Sequence, residues 1–145
     1  MKTGKLELKQ VIAYSILIPY LFLVLASTVL NRPEQSKMTY ELQLFWSYQA
    51  AFHGRKNLLK ENFLNILMLI PVGILYPVAG KHGFRRVIIT EFLCSVLIEC
   101  SQLIWKRGLF ELDDIFHNTL GVVVGYGIIR IYIFLLFPLL KKIFS

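Results

Sequence analysis

The sequence predicts an all-α integral membrane protein, a four-helix transmembrane bundle with an interfacial or re-entrant segment between the first and second spans. Two observations lead there. The 145 residues are 56% apolar with a mean hydropathy of +0.59, too apolar for a soluble domain of this size. Four runs, 11–30, 63–79, 84–104 and 115–137, approach or exceed the roughly 20 residues that cross a bilayer. By its length the whole chain, 1–145, is read as one domain.

The first run is read as a retained anchor. A cleaved signal peptide competes, because Val24, Leu25 and Ala26 crudely resemble a small-residue cleavage site, but the apolar stretch exceeds the ~7–15 residues usual for a signal. The stretch 40–53, with Leu42, Leu44, Phe45, Trp46, Tyr48 and Phe52, is too short to cross and suits a segment with its aromatic groups at headgroup level. Pro71 and Gly73 predict a bend in the second span that opens room inside the bundle. The turn from Lys81 to Arg86 is so short that spans two and three are expected to pack as an antiparallel hairpin. Arg130 interrupts the last run before Pro138, Lys141 and Lys142, and is read as snorkelling to the surface from a continuous helix, the alternative being that it marks where the chain turns into the interface.

The net charge of +7 comes from Lys and Arg scattered at segment ends, with no basic stripe, so nucleic acid is not expected as a partner. Lys2, Lys5, Lys9, Lys81, Arg85, Arg86, Lys141 and Lys142 lie in short segments on one side; the seven basic residues opposite are mostly in a long loop. That density favours cytoplasmic termini in the cytoplasmic membrane. Cys94 and Cys100 fall on different faces of the third span, which speaks against a mutual disulfide. No zinc-ligand spacing is present, and neither a metal nor a cofactor is expected.

The densest chemistry is between two apolar runs, where Glu99, Gln102, Arg107, Glu111, Asp113, Asp114 and Asn118 fall within twenty residues. Polar groups at membrane depth are costly and rarely kept without a role. At about 100° per residue, Glu91, Ser95, Glu99 and Gln102 share an arc of about 80° on the third span. Asp114, Asn118, Gly121 and Gly125 share about 60° on the fourth, and Asn62, Asn65 and Gly73 about 80° on the second. Gly121 and Gly125 form a GxxxG pair that admits close approach of a helix, within the chain or from a second copy. Arg107 is the expected counter-charge for the carboxylates, since a guanidinium binds one bidentately. Asp113 and His117 are one turn apart, but both lie off the Asp114 face.

The order Asn65-Ile-Leu-Met, Ile70-Pro71-Val-Gly73, Ser95-Val-Leu-Ile-Glu99-Cys-Ser-Gln102, Arg107-Gly-Leu-Phe-Glu111-Leu-Asp113-Asp114 and Asn118-Thr119-Leu120-Gly121 with Gly125-Tyr126 resembles the VanZ-like family of bacterial membrane proteins. Glu111 stands where the family pattern has aspartate, which keeps the charge. The resemblance implies a multi-pass cytoplasmic-membrane protein; the family's namesake is linked to resistance against teicoplanin, a lipid-bearing glycopeptide that acts on the cell wall.

Three roles for the cluster follow. An outward-facing polar pocket would bind a membrane lipid, a lipid-linked wall precursor or a lipoglycopeptide through Asn65, Gln102, Arg107, Glu111, Asp113 and Asn118. An intramembrane enzyme would use Glu99 and Asp114 as acid and base, with Arg107 steadying negative charge; no nucleophile motif such as GxSxG accompanies them. Helix packing alone, through interhelical hydrogen bonds and through Pro71, Gly73, Gly121 and Gly125, is the third.

Overall fold

The computed structural model describes residues 6–136; Lys2, Lys5, Pro138, Lys141, Lys142 and the expected end of the last span at residue 137 lie outside them. Among the described residues four helices are long and apolar enough to cross a membrane. Helix α1 runs Leu8–Leu25 and continues as a π-helical stretch, Ala26–Leu30. A short strand β1 (Thr39–Glu41) and a short helix α2 (Trp46–Phe52) follow, then α3 (Asn57–Gly80), α4 (Phe84–Ile104), strand β2 (Leu109–Glu111) and α5 (Leu112–Ile131). A second π-helical stretch, Tyr132–Leu136, extends α5. The third span has the boundaries expected from hydropathy. The second begins six residues earlier, at Asn57, because Asn57, Lys60 and Glu61 complete a first helical turn that hydropathy does not register.

The widened turns at the end of α1 coincide with Ser27 and Thr28, whose hydroxyls both donate to the Val24 carbonyl, at 2.9 and 2.8 Å. Such back-bonding competes with the regular ladder and loosens it. Helix α3 stays helical through Pro71 and Pro77, with α1 tied to it near both: Tyr20 Oη donates to the Met68 carbonyl at 2.7 Å, and Gln10 Nε2 to the terminal Ala79 carbonyl at 3.0 Å. Lys81 ends α3 in the left-handed conformation at φ +53°, a usual way to stop a helix.

The packing order differs from the expected hairpin. Helix α3 packs most extensively on α5 and next on α1, whereas α3 and α4 barely touch despite their short connection. Glycine decides this. A Cβ at Gly121 would collide with the Ile66 carbonyl, one at Gly125 with the Ile70 carbonyl, and one at Gly73 with the Val122 carbonyl. The two backbones therefore meet directly, and the pairing 66/121, 70/125 shows that the helices run parallel. The glycine face suggested for self-association packs against α3 within the chain.

Ala13, Leu17, Leu69, Val72, Ala79, Val87 and Val122 form the core where α1, α3, α4 and α5 meet. Most large apolar side chains face outward instead, Leu97 at 65% exposure and Phe63 at 61% among them. An apolar girdle of this extent marks a surface immersed in lipid. Between the helices, β1 and β2 pair in parallel with Tyr40 opposite Phe110, joining the first loop to the α4–α5 connection.

Gly125→Ala is expected to lower stability by roughly 1–3 kcal/mol, the usual cost of overpacking. Gly127→Ala, where an added Cβ meets nothing within 4 Å, is expected to be neutral or stabilising; unfolding in mixed micelles measures both.

Candidate functional site

The polar residues singled out on α3, α4 and α5 do converge, at the end of the bundle that also holds β1, β2 and α2, here called the carboxylate end. Asn65 Nδ2 on α3 donates to Asp114 Oδ1 on α5 at 2.8 Å. Glu99 on α4 accepts the backbone N–H of Glu111 at 3.0 Å, which anchors β2 to the helix before α5 begins. Glu99 and Gln102 are each 1% exposed and Asn118 is 4% exposed, while Asn65 and Asp114 are half-buried. The cluster is therefore nearly closed, and its accessible edge is the Asn65–Asp114 pair.

The guanidinium nearest this cluster is not the expected one. Arg32, just past the first span, reaches Gln102 Oε1 at 3.2 Å and acts electrostatically on both Glu99 and Asp114. Gly108 makes this fit, because a Cβ there would press on both Gln102 Oε1 and Arg32 Nη1. Arg107 instead donates to the Leu30 carbonyl at 2.8 Å, satisfying an acceptor at the end of the first span. Lys106, which precedes it, is left-handed at φ +53° and turns the chain out of α4. This left-handed residue stops α4 as Lys81 stops α3, and Lys106 and Arg107 line a groove of about 480 Å³ together with Leu30, Glu34, Ile104 and Trp105.

Asp113, expected as a ligand contact, is fully buried and serves the fold. Its carboxylate accepts the Phe45 N–H, the Ser47 hydroxyl and the Ser47 N–H, the last at 3.0 Å. It thereby caps the N-terminus of α2 from a distant part of the chain, where orphaned N–H groups and the helix dipole favour a negative charge. Phe45 is held at φ +65° by this arrangement. Asn62 donates to Ser47 Oγ at 2.9 Å, and Tyr48 Oη shares a hydrogen bond with His117 Nε2 at 2.7 Å. The segment expected at headgroup level is thus pinned across the carboxylate end, with Phe52 fully outward at 91% exposure.

Glu111 lies in the wall of the cluster and accepts from Trp46 Nε1 at 2.9 Å. Burial, then the neighbouring charge of Asp114, pushes its carboxyl up to about 7. Among the described residues no group of three or more His, Cys, Asp or Glu is placed to hold a metal ion. Glu91 lies apart, paired with Ser95 Oγ at 3.1 Å, in the wall of an otherwise apolar cavity of about 320 Å³ between α1, α3 and α4. Arg130 does not approach it and points to the opposite end of the bundle, beside Lys9 and Lys81.

Four spans with amide, carboxylate and guanidinium groups gathered at one end define a multi-pass membrane protein with a polar cap over an apolar bundle. The chain belongs to the VanZ/LLP1 family, which it matches over residues 11–136. No curated protein and no solved structure matches it.

Because folding raises the Glu111 carboxyl from 4.5 to about 7, the folded state holds that proton more tightly than the unfolded chain. Its contribution is full below about 4.5 and is lost as pH rises through about 7. In a Trp105→Phe background, Trp46 fluorescence is expected to titrate near pH 7 and to lose that transition in Glu111→Gln. Asp113→Asn is expected to cost roughly 1.5–3 kcal/mol, as for a hydrogen bond to a charged group, and to speed amide exchange across 45–52.

Proposed function

We propose that the carboxylate end recognises the headgroup of a cell-envelope amphiphile, a membrane lipid, a lipid-linked wall precursor or a lipoglycopeptide, at the outer face of the cytoplasmic membrane. The observation that carries this is the meeting of two unlike surfaces at one end of the bundle. A groove bearing Lys106 and Arg107, with Glu34 also in its wall, is joined through Gln102 to Arg32, since the Gln102 carbonyl accepts the Arg107 N–H at 2.8 Å and Gln102 Oε1 accepts from Arg32; Asn65 and Asp114 meet on the other two helices of the cluster. In this reading Lys106 and Arg107 take a phosphate or carboxylate. Asp114, Asn65 and the unpartnered Oδ1 of Asn118 take hydroxyl or amine groups, and Trp105 and Leu30 receive the start of the tail. Glu99, Gln102 and Glu111 hold the floor, and Asp113 fastens α2 over it.

The orientation, with both termini cytoplasmic, rests on the density of Lys and Arg near Lys9 and in the Lys81 to Arg86 turn. Resistance of the teicoplanin type is one outcome of such recognition, where the amphiphile is a lipoglycopeptide or its target.

A second reading is an intramembrane enzyme. Glu99 and Asp114 act on each other electrostatically from different helices, each steadied by one hydrogen bond from elsewhere in the chain. Two carboxyls in different surroundings are the arrangement that divides acid from base roles.

Wild-type protein in nanodiscs, offered a lipid-linked wall precursor, is expected to bind saturably. Arg107→Lys and Asp114→Asn should keep the melting temperature and weaken binding about tenfold, equivalent to about 1.4 kcal/mol. Product formed by wild type and not by Glu99→Gln would establish the enzyme. Unfolding of all three variants in mild detergent would return the cluster to a purely structural role.

A further inference from the structure

A second constellation lies at the other end of the bundle, around a cavity of about 340 Å³. Lys9 from α1, Lys81 and His82 from the α3–α4 turn and Arg130 from α5 supply its polar rim, and Ile129 and Ile133 its apolar wall. Two of the cations are already ordered: Glu7 clasps Lys9 at 2.9 Å and Lys81 at 2.5 Å. The hydrogen bond from Lys81, then that from Lys9, holds the Glu7 carboxyl down at about 2, a sign of how much positive charge gathers here. Burial, and then the nearby Arg86 charge, lower the His82 pKa, so at neutral pH it offers a hydrogen bond rather than a charge. Arg130 has no hydrogen-bond or carboxylate partner among the described residues and is exposed.

We propose that this cavity binds the phosphate of an anionic membrane phospholipid, with the acyl chains lying along Ile129 and Ile133. Three cations face one carboxylate, so the rim carries uncompensated positive charge at the boundary between headgroups and hydrocarbon. A guanidinium grips a phosphate with two parallel N–H donors, and ammonium groups already fixed by Glu7 lose less side-chain freedom when a second anion arrives. Ile133 of that wall is itself exposed, as are Ile128, Ile131 and Phe134 on the same helix end, the outward apolar surface expected against lipid. A phosphate ester with tails satisfies both halves of the cavity, whereas inorganic phosphate satisfies one. A zwitterionic headgroup brings its own cation to a cationic rim. The site is separate from the carboxylate end and stands whether or not the function proposed there is correct.

The test uses the whole protein in neutral detergent, titrated with phosphatidylglycerol, phosphatidylcholine or inorganic phosphate. Native mass spectrometry counts retained lipid, and thermal unfolding reports stabilisation. Wild type is expected to retain phosphatidylglycerol and to melt higher with it. Arg130→Gln should weaken retention about fivefold, the effect of roughly one basic residue at a membrane surface. Lys81→Gln should act in the same direction and replaces Arg130→Gln if that variant misfolds. Lys60→Gln, an equal change of charge on exposed α3 at the carboxylate end, should retain lipid as wild type does. Equal retention by wild type, Arg130→Gln and Lys81→Gln would overturn the proposal. So would retention of phosphatidylcholine matching that of phosphatidylglycerol, or equal stabilisation by inorganic phosphate.

Discussion

The direct contact of two helix backbones, α3 against α5, is the constraint on which the carboxylate end depends. Gly73, Gly121 and Gly125 leave no side chain between the helices, so the Ile66, Ile70 and Val122 carbonyls face bare Cα atoms. At that separation weak Cα–H donors replace the packing that larger side chains would give. The same closeness sets the reach of everything above it. Asn65 and Asp114 are short side chains, and they meet at 2.8 Å because the helices carrying them are held at backbone distance close by, where Gly121 meets the Ile66 carbonyl.

The carboxylate end is held by hydrogen bonds in preference to ion pairs. Among the described residues the ion pairs are both on Glu7, at the other end of the molecule. Glu99 receives a backbone N–H, Asp114 an amide, Glu111 an indole N–H, and Asp113 two N–H groups and a hydroxyl. Neutral donors hold a carboxyl group in one orientation without the close counter-charge that a contacting guanidinium would bring. Arg32 stays one residue removed, bonded to Gln102, and moderates the negative field without quenching it. For the headgroup recognition proposed above, acceptors already held in orientation are an advantage.

Much of this was legible in the sequence, and the rest was hidden for identifiable reasons. Periodicity placed Glu91, Ser95, Glu99 and Gln102 on one face, and all four are buried, because burial of a helix face follows from angle alone. The glycine spacing marked a close approach but not its partner: spacing says that a helix can come near, not which. Chain neighbourhood suggested α4 for α3, and the glycines chose α5. Arg107 is near the acids in sequence and able to grip a carboxylate, but its guanidinium goes to the Leu30 carbonyl, and Arg32 stands at the cluster instead. Arg32 lies 67 positions before Glu99, and nothing local distinguishes it from other loop cations; the permissive Gly108 opposite it was the one available hint. The β1–β2 pair is three residues per strand, too short for alternation to register. Asp113 and Asp114 look alike in sequence, yet one turns inward to α2 and the other to α3, since adjacent helical positions differ by about 100°.

The parallel pairing of α3 with α5, together with the β1–β2 ladder, has a consequence for how the protein is made. Each of these contacts joins an early segment to one that follows the third span, so neither can form while the ribosome is still translating that span. Until α5 enters the membrane, Asn65 lacks Asp114 and α2 lacks its distant cap. The insertion machinery must therefore accept two helices carrying unsatisfied polar groups and keep them near water or near each other. A chain truncated before Leu112 would retain three apolar spans and lose the means to settle them, which makes the final helix the step that commits the molecule to its fold.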